Sequence, residues 1–340
     1  MPLLQLPLEI RYIIYEFALY VFQPLPESPA CAGKRVRLSH CSHEYHECRC
    51  QTGDIFVNFE FRAVKDAQCL FQVNHQIYRE VRSLLGQRGF LYVVDVMVVN
   101  ERELWPTWIA APVCFYRVDH AQVSFRFFGK YDSNNGASRL LDMLPHFLVY
   151  ITLCWPEWFQ RYNPLKINKL TLDFRTPNDD PERLAPRTLE ASDWIWGRMG
   201  AGSGPSVEAE TGLTGLMRPE WLAREMSRVV EQGLQMTYLD GTLGNTMHRR
   251  LGTVDIRVDG DLQNTFSAAD ILQRMRYADA ICTPLYILPG DRFMAYLRWK
   301  KSVLEDRGAN GLQVLYPDEP ELYSGLSWQK LPSSVSRRLG

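Results

Sequence analysis

The sequence predicts a mixed α/β fold in which an N-terminal pair of helices leads into a mainly parallel β-sheet covered by helices. Three observations carry this. Two apolar stripes at helical spacing lie within the first 90 residues, four β-rich runs follow, and helical patterns separate those runs.

The first stripe opens the chain. Pro7 fits a first helical turn, because its missing N–H would have no partner there, and Glu9 sits near the positive end of the helix dipole. Leu6, Ile10, Ile13 and Phe17 recur on one face, and Leu8, Tyr12, Tyr15 and Leu19 add a second apolar flank. The expectation is a wide-faced helix buried on two sides. A second stripe, Leu70, Val73, Ile77, Val81 and Leu84, predicts a helix that stops near Gly86 or Gly89.

Strands are expected at 90–99, which is nearly all β-branched or aromatic, and at 121–128, 167–174 and 253–258. In the last three, apolar residues alternate with polar ones: Val123, Phe125 and Phe127; Leu170, Leu172 and Phe174; Val254, Ile256 and Val258. Their polar faces predict a sheet with one side only partly covered. Helical patterns run near 100–109, 138–160, 188–198, 218–236, 267–281 and 291–306, so parallel neighbours joined by crossovers are expected. Trp105-Pro106-Thr107-Trp108 and Trp155-Pro156-Glu157-Trp158 precede two of the strands. They suggest a repeat-like, arc-shaped sheet; coincidence among nine Trp is the alternative. The expected organisation is a helical segment at 1–90 with an insertion at 20–69, then an α/β body at 90–316. That body carries a Gly-rich loop at 197–216, and a loosely attached tail follows at 317–340.

Leu6-Pro7-Leu8-Glu9-Ile10-Arg11-Tyr12-Ile13-Ile14-Tyr15-Glu16, followed by Leu70-Phe71-Gln72-Val73-Asn74-His75-Gln76-Ile77-Tyr78-Arg79-Glu80, resembles a large group of fungal F-box-like proteins. Many of these carry only the description "domain of unknown function". The resemblance implies binding to the Skp1-type adaptor of cullin-type ubiquitin ligases, with the C-terminal body recruiting a substrate. An ordinary F-box joins its helices by short loops, whereas residues 20–69 separate the two segments here. Leu8, Tyr12 and Tyr15 are the residues expected to meet a partner.

The insertion holds the most unusual chemistry. Cys31, His40, Cys41, His43, His46, Cys48 and Cys50 fall within one short stretch. Thiolate and imidazole are the ligands of tetrahedral zinc, so Cys41, His43 or His46, Cys48 and Cys50 form the candidate metal set. The Cys-x-x-Cys knuckles of a strong zinc motif are absent, and an unliganded loop is the alternative.

No catalytic motif stands out. The chain lacks Gly-x-Ser-x-Gly, and Gly200–Gly204 lacks the Lys-Ser/Thr of a phosphate loop. Asp255, Asp259 and Asp261 read as a solvated strand edge ending in an Asp259-Gly260 turn. His75, His120, His146 and His248 read as interface or surface histidines, and Arg298-Trp299-Lys300-Lys301 as a solvated helix face with Phe293, Leu297 and Leu304 inward. Net charge is -1, which gives no bulk attraction to nucleic acid or membrane. No apolar run reaches spanning length, eight Cys in 340 residues form no disulfide framework, and no signal segment is evident. The expectation is a cytoplasmic or nuclear, non-enzymatic protein-interaction module without a cofactor. A zinc-stabilised binding module or an unrecognised enzyme are the rivals.

Overall fold

The computed structural model describes residues 3–37, 55–58, 72–87, 91–112, 118–129, 136–153, 166–177, 216–235, 243–276 and 289–316. Helix α1 (Leu8–Leu19) runs into strand β1 (Tyr20–Phe22). Strands β2 (Val36–Arg37) and β3 (Phe56–Val57) form a small ladder, and α2 (His75–Gln87) follows. The body comprises β4 (Leu91–Val99), β5 (Glu103–Pro112), β6 (Val118–Phe128), α3 (Gly136–Leu153) and β7 (Ile167–Arg175). It continues through α4 (Pro219–Gln235), α5 (Leu243–Arg250), β8 (Leu251–Val258), β9 (Asp261–Ser267), α6 (Ala268–Arg274) and α7 (Pro289–Ala309).

The main sheet has the order β1-β5-β4-β6-β7-β8-β9. Its centre, β4-β6-β7-β8, is parallel, and antiparallel strands flank it on both sides. Successive parallel strands advance in one direction along the sheet, and crossovers of one hand then place every connecting helix on the same face. On that face, Phe125 stacks on Phe174 at 4.5 Å and meets Phe147 of α3 edge-on at 5.3 Å. Leu222, Met226 and Val230 of α4 and Met247 of α5 complete the same core. The opposite face carries the alternate, polar residues. Among the described residues, the segment 24–37 lies across its β5, β4 and β6 strands: Arg35 reaches Thr107 Oγ1 at 2.5 Å, Arg126 of β6 reaches the Pro26 carbonyl at 2.7 Å, and Ala32 packs on Met97 and Val99.

Residues 100–109 depart from the expected helix. Asn100 and Glu101 take φ of 52° and 54°, and Arg102 N–H donates to the Val99 carbonyl at 3.0 Å, closing a tight turn. The chain therefore folds back as β5, antiparallel to β4. Trp105-Pro106-Thr107-Trp108 lies within this strand and does not end a helix, which removes the first copy of the supposed repeat unit; the second lies outside the described residues. Among the described residues, β1 pairs with 110–112 and Ile55 with Leu104, and none of them pairs with Pro106 from the outer edge, a position where the ring is tolerated.

Strands β1, β2 and β3 lie in the stretch expected only as an insertion, and two further elements of the body are additions to the expected set. Residues 243–250 form α5, and 261–267 form β9 behind the expected Asp259-Gly260 turn, with φ of 51° and 89°. Strand β8 is consequently an interior strand and not a solvated edge.

The basic run on α7 is also corrected. Lys300 is buried and donates to the Met275 carbonyl at 2.7 Å, as does the Tyr296 hydroxyl. Buried Arg307 donates to the carbonyls of His248 and Leu251 at 2.6 and 2.8 Å. His248, expected at an interface or surface, is fully buried and its Nε2 donates to the Leu234 carbonyl at 2.7 Å. These carbonyls lie at or just beyond the C-termini of α6, α5 and α4. Unpaired carbonyls and the negative dipole ends there give buried basic groups partners of the right sign. Burial pushes the His248 imidazole down to about 4, so it is neutral near pH 7.

Candidate interaction surface

The two motif segments meet in space. Arg11 of α1 makes a bidentate pair with Glu80 of α2, with Nε to Oε2 at 2.9 Å and Nη2 to Oε1 at 2.6 Å. The Tyr15 hydroxyl donates to Glu80 Oε2 at 2.9 Å, and Gln76 Nε2 to Oε1 at 2.9 Å. Arg11 Nη1 reaches back to the carbonyls of Leu4 and Leu6 at the start of the chain. The carboxylate thus accepts from three side chains at once, and the Arg11 guanidinium leads in holding its pKa down to about 2. Burial, followed by the adjacent Glu80, pushes the Tyr15 phenol up to about 12.

The sequence supports this arrangement locally. Asn74 Oδ1 accepts from Gln76 N–H at 2.6 Å and Ile77 N–H at 3.4 Å, a side-chain cap that starts α2. With its N-terminus fixed, α2 turns Ile77, Val81 and Leu84 toward α1, where they pack with Tyr15 and Leu19. Helix α1 ends where Tyr20 becomes extended and joins β5, register Tyr20↔Pro112, so the helix is attached directly to the edge of the sheet.

Burying Arg11, Tyr15 and Leu19 turns the rest of α1 outward. Ile10, Ile13, Ile14 and Phe17 are 44%, 47%, 37% and 70% exposed, and they sit at i, i+3, i+4 and i+7. Ile10, Ile13 and Phe17, expected in the core, are therefore on the surface. Of the residues expected to face a partner, Leu8 is exposed, Tyr12 is half-buried, and Tyr15 is fully buried with its hydroxyl engaged. Tyr15 therefore holds the helix in place and is not a contact residue. Both flanks of α1 are apolar in sequence, so periodicity alone predicted both to be buried, whereas the structure buries one. The signal available was Arg11, which lies on the same face as Tyr15 and needs an acidic partner if that face is buried.

The candidate zinc ligands Cys41, His43, His46, Cys48 and Cys50 lie outside the described residues. Among the described residues, no group of three or more His, Cys, Asp or Glu is placed to hold a metal ion, and Cys31 is an exposed free thiol. No described helix is long and apolar enough to cross a membrane. Compared with protein-family models, curated proteins and solved structures, the chain matches none.

Proposed function

We propose that this chain is a non-enzymatic protein-interaction module that presents the outer face of α1 to an apolar groove on another protein. The observation that supports this is the exposed stripe Ile10, Ile13, Ile14 and Phe17 on a helix whose buried side is held by ion pairing. Anchors at i, i+3, i+4 and i+7 are the pattern by which amphipathic helices fill grooves. Contiguous exposed apolar surface on a folded chain is the usual mark of a partner site. The LPxEIR resemblance supplies the sharper form of the proposal: the partner is a Skp1-type adaptor, and the α/β body recruits a substrate to a ubiquitin ligase.

The test is co-purification of the full chain with a Skp1-type adaptor and its cullin, beside an established F-box protein as control. Recovery of adaptor by the wild-type chain, lost with Ile13→Glu and Phe17→Glu, is expected. No recovery under conditions that retain the control removes the adaptor version of the proposal.

A further inference from the structure

The polar face of the sheet is layered in charge. On β7, Lys169, Thr171, Asp173 and Arg175 share one side, and Asp255 and Arg257 of β8 lie beside them, registers Thr171↔Asp255 and Asp173↔Arg257. Lys169 Nζ is 2.8 Å from Asp255 Oδ2, Arg257 Nη2 is 3.5 Å from the same atom, and the Thr265 hydroxyl donates to Oδ1 at 2.9 Å. Arg175 Nη2 is 2.5 Å from Asp173 Oδ2, while the Gly260 N–H donates to Oδ1 at 3.0 Å. Half-buried His120 adds an imidazole, its Nε2 2.9 Å from Thr171 Oγ1.

The carboxylates sit at the level of the sheet and the cations above them. The side chains of Asp173 and Asp255 are 2% and 7% exposed, whereas those of Lys169, Arg175 and Arg257 are 42%, 42% and 35% exposed. Among the described residues, the outermost groups of these pairs are ammonium and guanidinium, and the exposed Asp259 carboxylate, hydrogen-bonded to Thr176, lies at the Arg175 end. Lys169 and Arg175 are each fixed by a buried carboxylate, and Arg257 lies more loosely at 3.5 Å from the one that holds Lys169, so for the first two little side-chain freedom remains to be lost on contact. From Lys169 to Arg175 the cations extend over roughly 20 Å of strand, with Arg257 between them; that is the length of about six extended residues.

We propose that this face is a docking site for an acidic, extended polypeptide segment of another protein, with its carboxylates seated on Lys169, Arg257 and Arg175. Charge complementarity selects the occupant. The chain as a whole has net charge -1 and lacks the broad positive field that a nucleic acid requires. A few carboxylates spaced along an extended peptide match a short line of cations. The site is independent of α1, and its test uses no adaptor.

The probe is a fluorescein-labelled eight-residue peptide of alternating Glu and Ser, compared by anisotropy with its Gln–Ser counterpart and with a single-stranded oligonucleotide, at ~50 mM salt. The Glu peptide is expected to bind the full chain roughly ten-fold tighter than the Gln peptide, weakening as salt rises. Arg175→Gln and Lys169→Gln are each expected to cost about three-fold. Because each leaves a buried carboxylate less well paired, the double variant Asp173→Asn with Arg175→Gln is the control for folding. It is expected to melt like the parent and still lose affinity. Equal binding of the Glu and Gln peptides, or undiminished Glu-peptide binding by the folded double variant, overturns the proposal. Tighter binding of the oligonucleotide than of the Glu peptide overturns the choice of occupant.

Discussion

Helices α1 and α4 are built in opposite senses. Helix α4 buries Trp221, Leu222, Met226, Val230 and Leu234 against the sheet and turns Glu220, Arg224, Arg228 and Glu231 to solvent. Helix α1 buries Arg11 and Tyr15 and turns Ile10, Ile13, Ile14 and Phe17 outward. The first is held by apolar area, which is non-directional and uses up the helix's apolar face. The second is held by directional bonds to a single carboxylate, Glu80, together with a small apolar cluster of Tyr15 and Leu19 on Ile77, Val81 and Leu84, and its other apolar side chains face outward. Under the function proposed above, that exposed stripe makes α1 the presenting element and α4 the supporting one.

The largest test of that contrast is on the supporting side. Leu222→Ala is expected to cost about 2–5 kcal/mol of global stability, because it removes a fully buried side chain from the main core. Urea denaturation measures it, and a loss below about 1 kcal/mol contradicts the role given to α4. On the presenting side, Tyr15→Phe removes one hydroxyl donor from Glu80 and is expected to cost about 1 kcal/mol. The loss should be seen as faster amide exchange across residues 8–19 before any change in the body.

Acid separates two further regions by window. Glu80 is held at about 2, below an ordinary 4.5, so its contribution is complete above pH 4.5 and is lost as pH falls toward 2. His248 is held at about 4 and an ordinary imidazole titrates near 6.5, so the unfolded chain binds the extra proton and the body weakens as pH falls from 6.5 toward 4. Amide exchange across α1 should therefore respond to the lower window and exchange across α5 to the upper one. Glu80→Gln flattens the first, and a His248 variant that still folds flattens the second. A response of both regions in one window contradicts these assignments. The smallest expected effect is that of Ile13→Gln, within about 0.5 kcal/mol of the parent, since the residue it replaces already faces solvent.

These contrasts also explain what the sequence could and could not convey. Strands β6, β7 and β8 were legible because alternation records one apolar and one polar face directly, as Val123, Phe125 and Phe127 show. Strand β5 was not, because Asn100 and Glu101 reverse the chain with left-handed backbone that glycine would usually supply, and Pro106 interrupts the strand pattern. Strand β9 carries little alternation, since Leu262 and Phe266 are its only apolar residues and most of the strand is exposed. Helix α5 is short and contains Gly244, Asn245 and Thr246, all weak helix formers that its burial against α4 and α7 overrides. The orientation of α1 depended on Glu80, 69 residues from Arg11, a pairing that local spacing does not record.

The most direct measurement is the affinity of a Skp1-type adaptor for the wild-type chain and for Ile13→Glu, with thermal melts of both chains alongside. The account predicts similar melting and adaptor binding weakened by more than about ten-fold in the variant, the effect of a charge placed in an apolar groove. Unchanged binding by a folded Ile13→Glu chain would contradict the claim that α1 presents its apolar face to a partner.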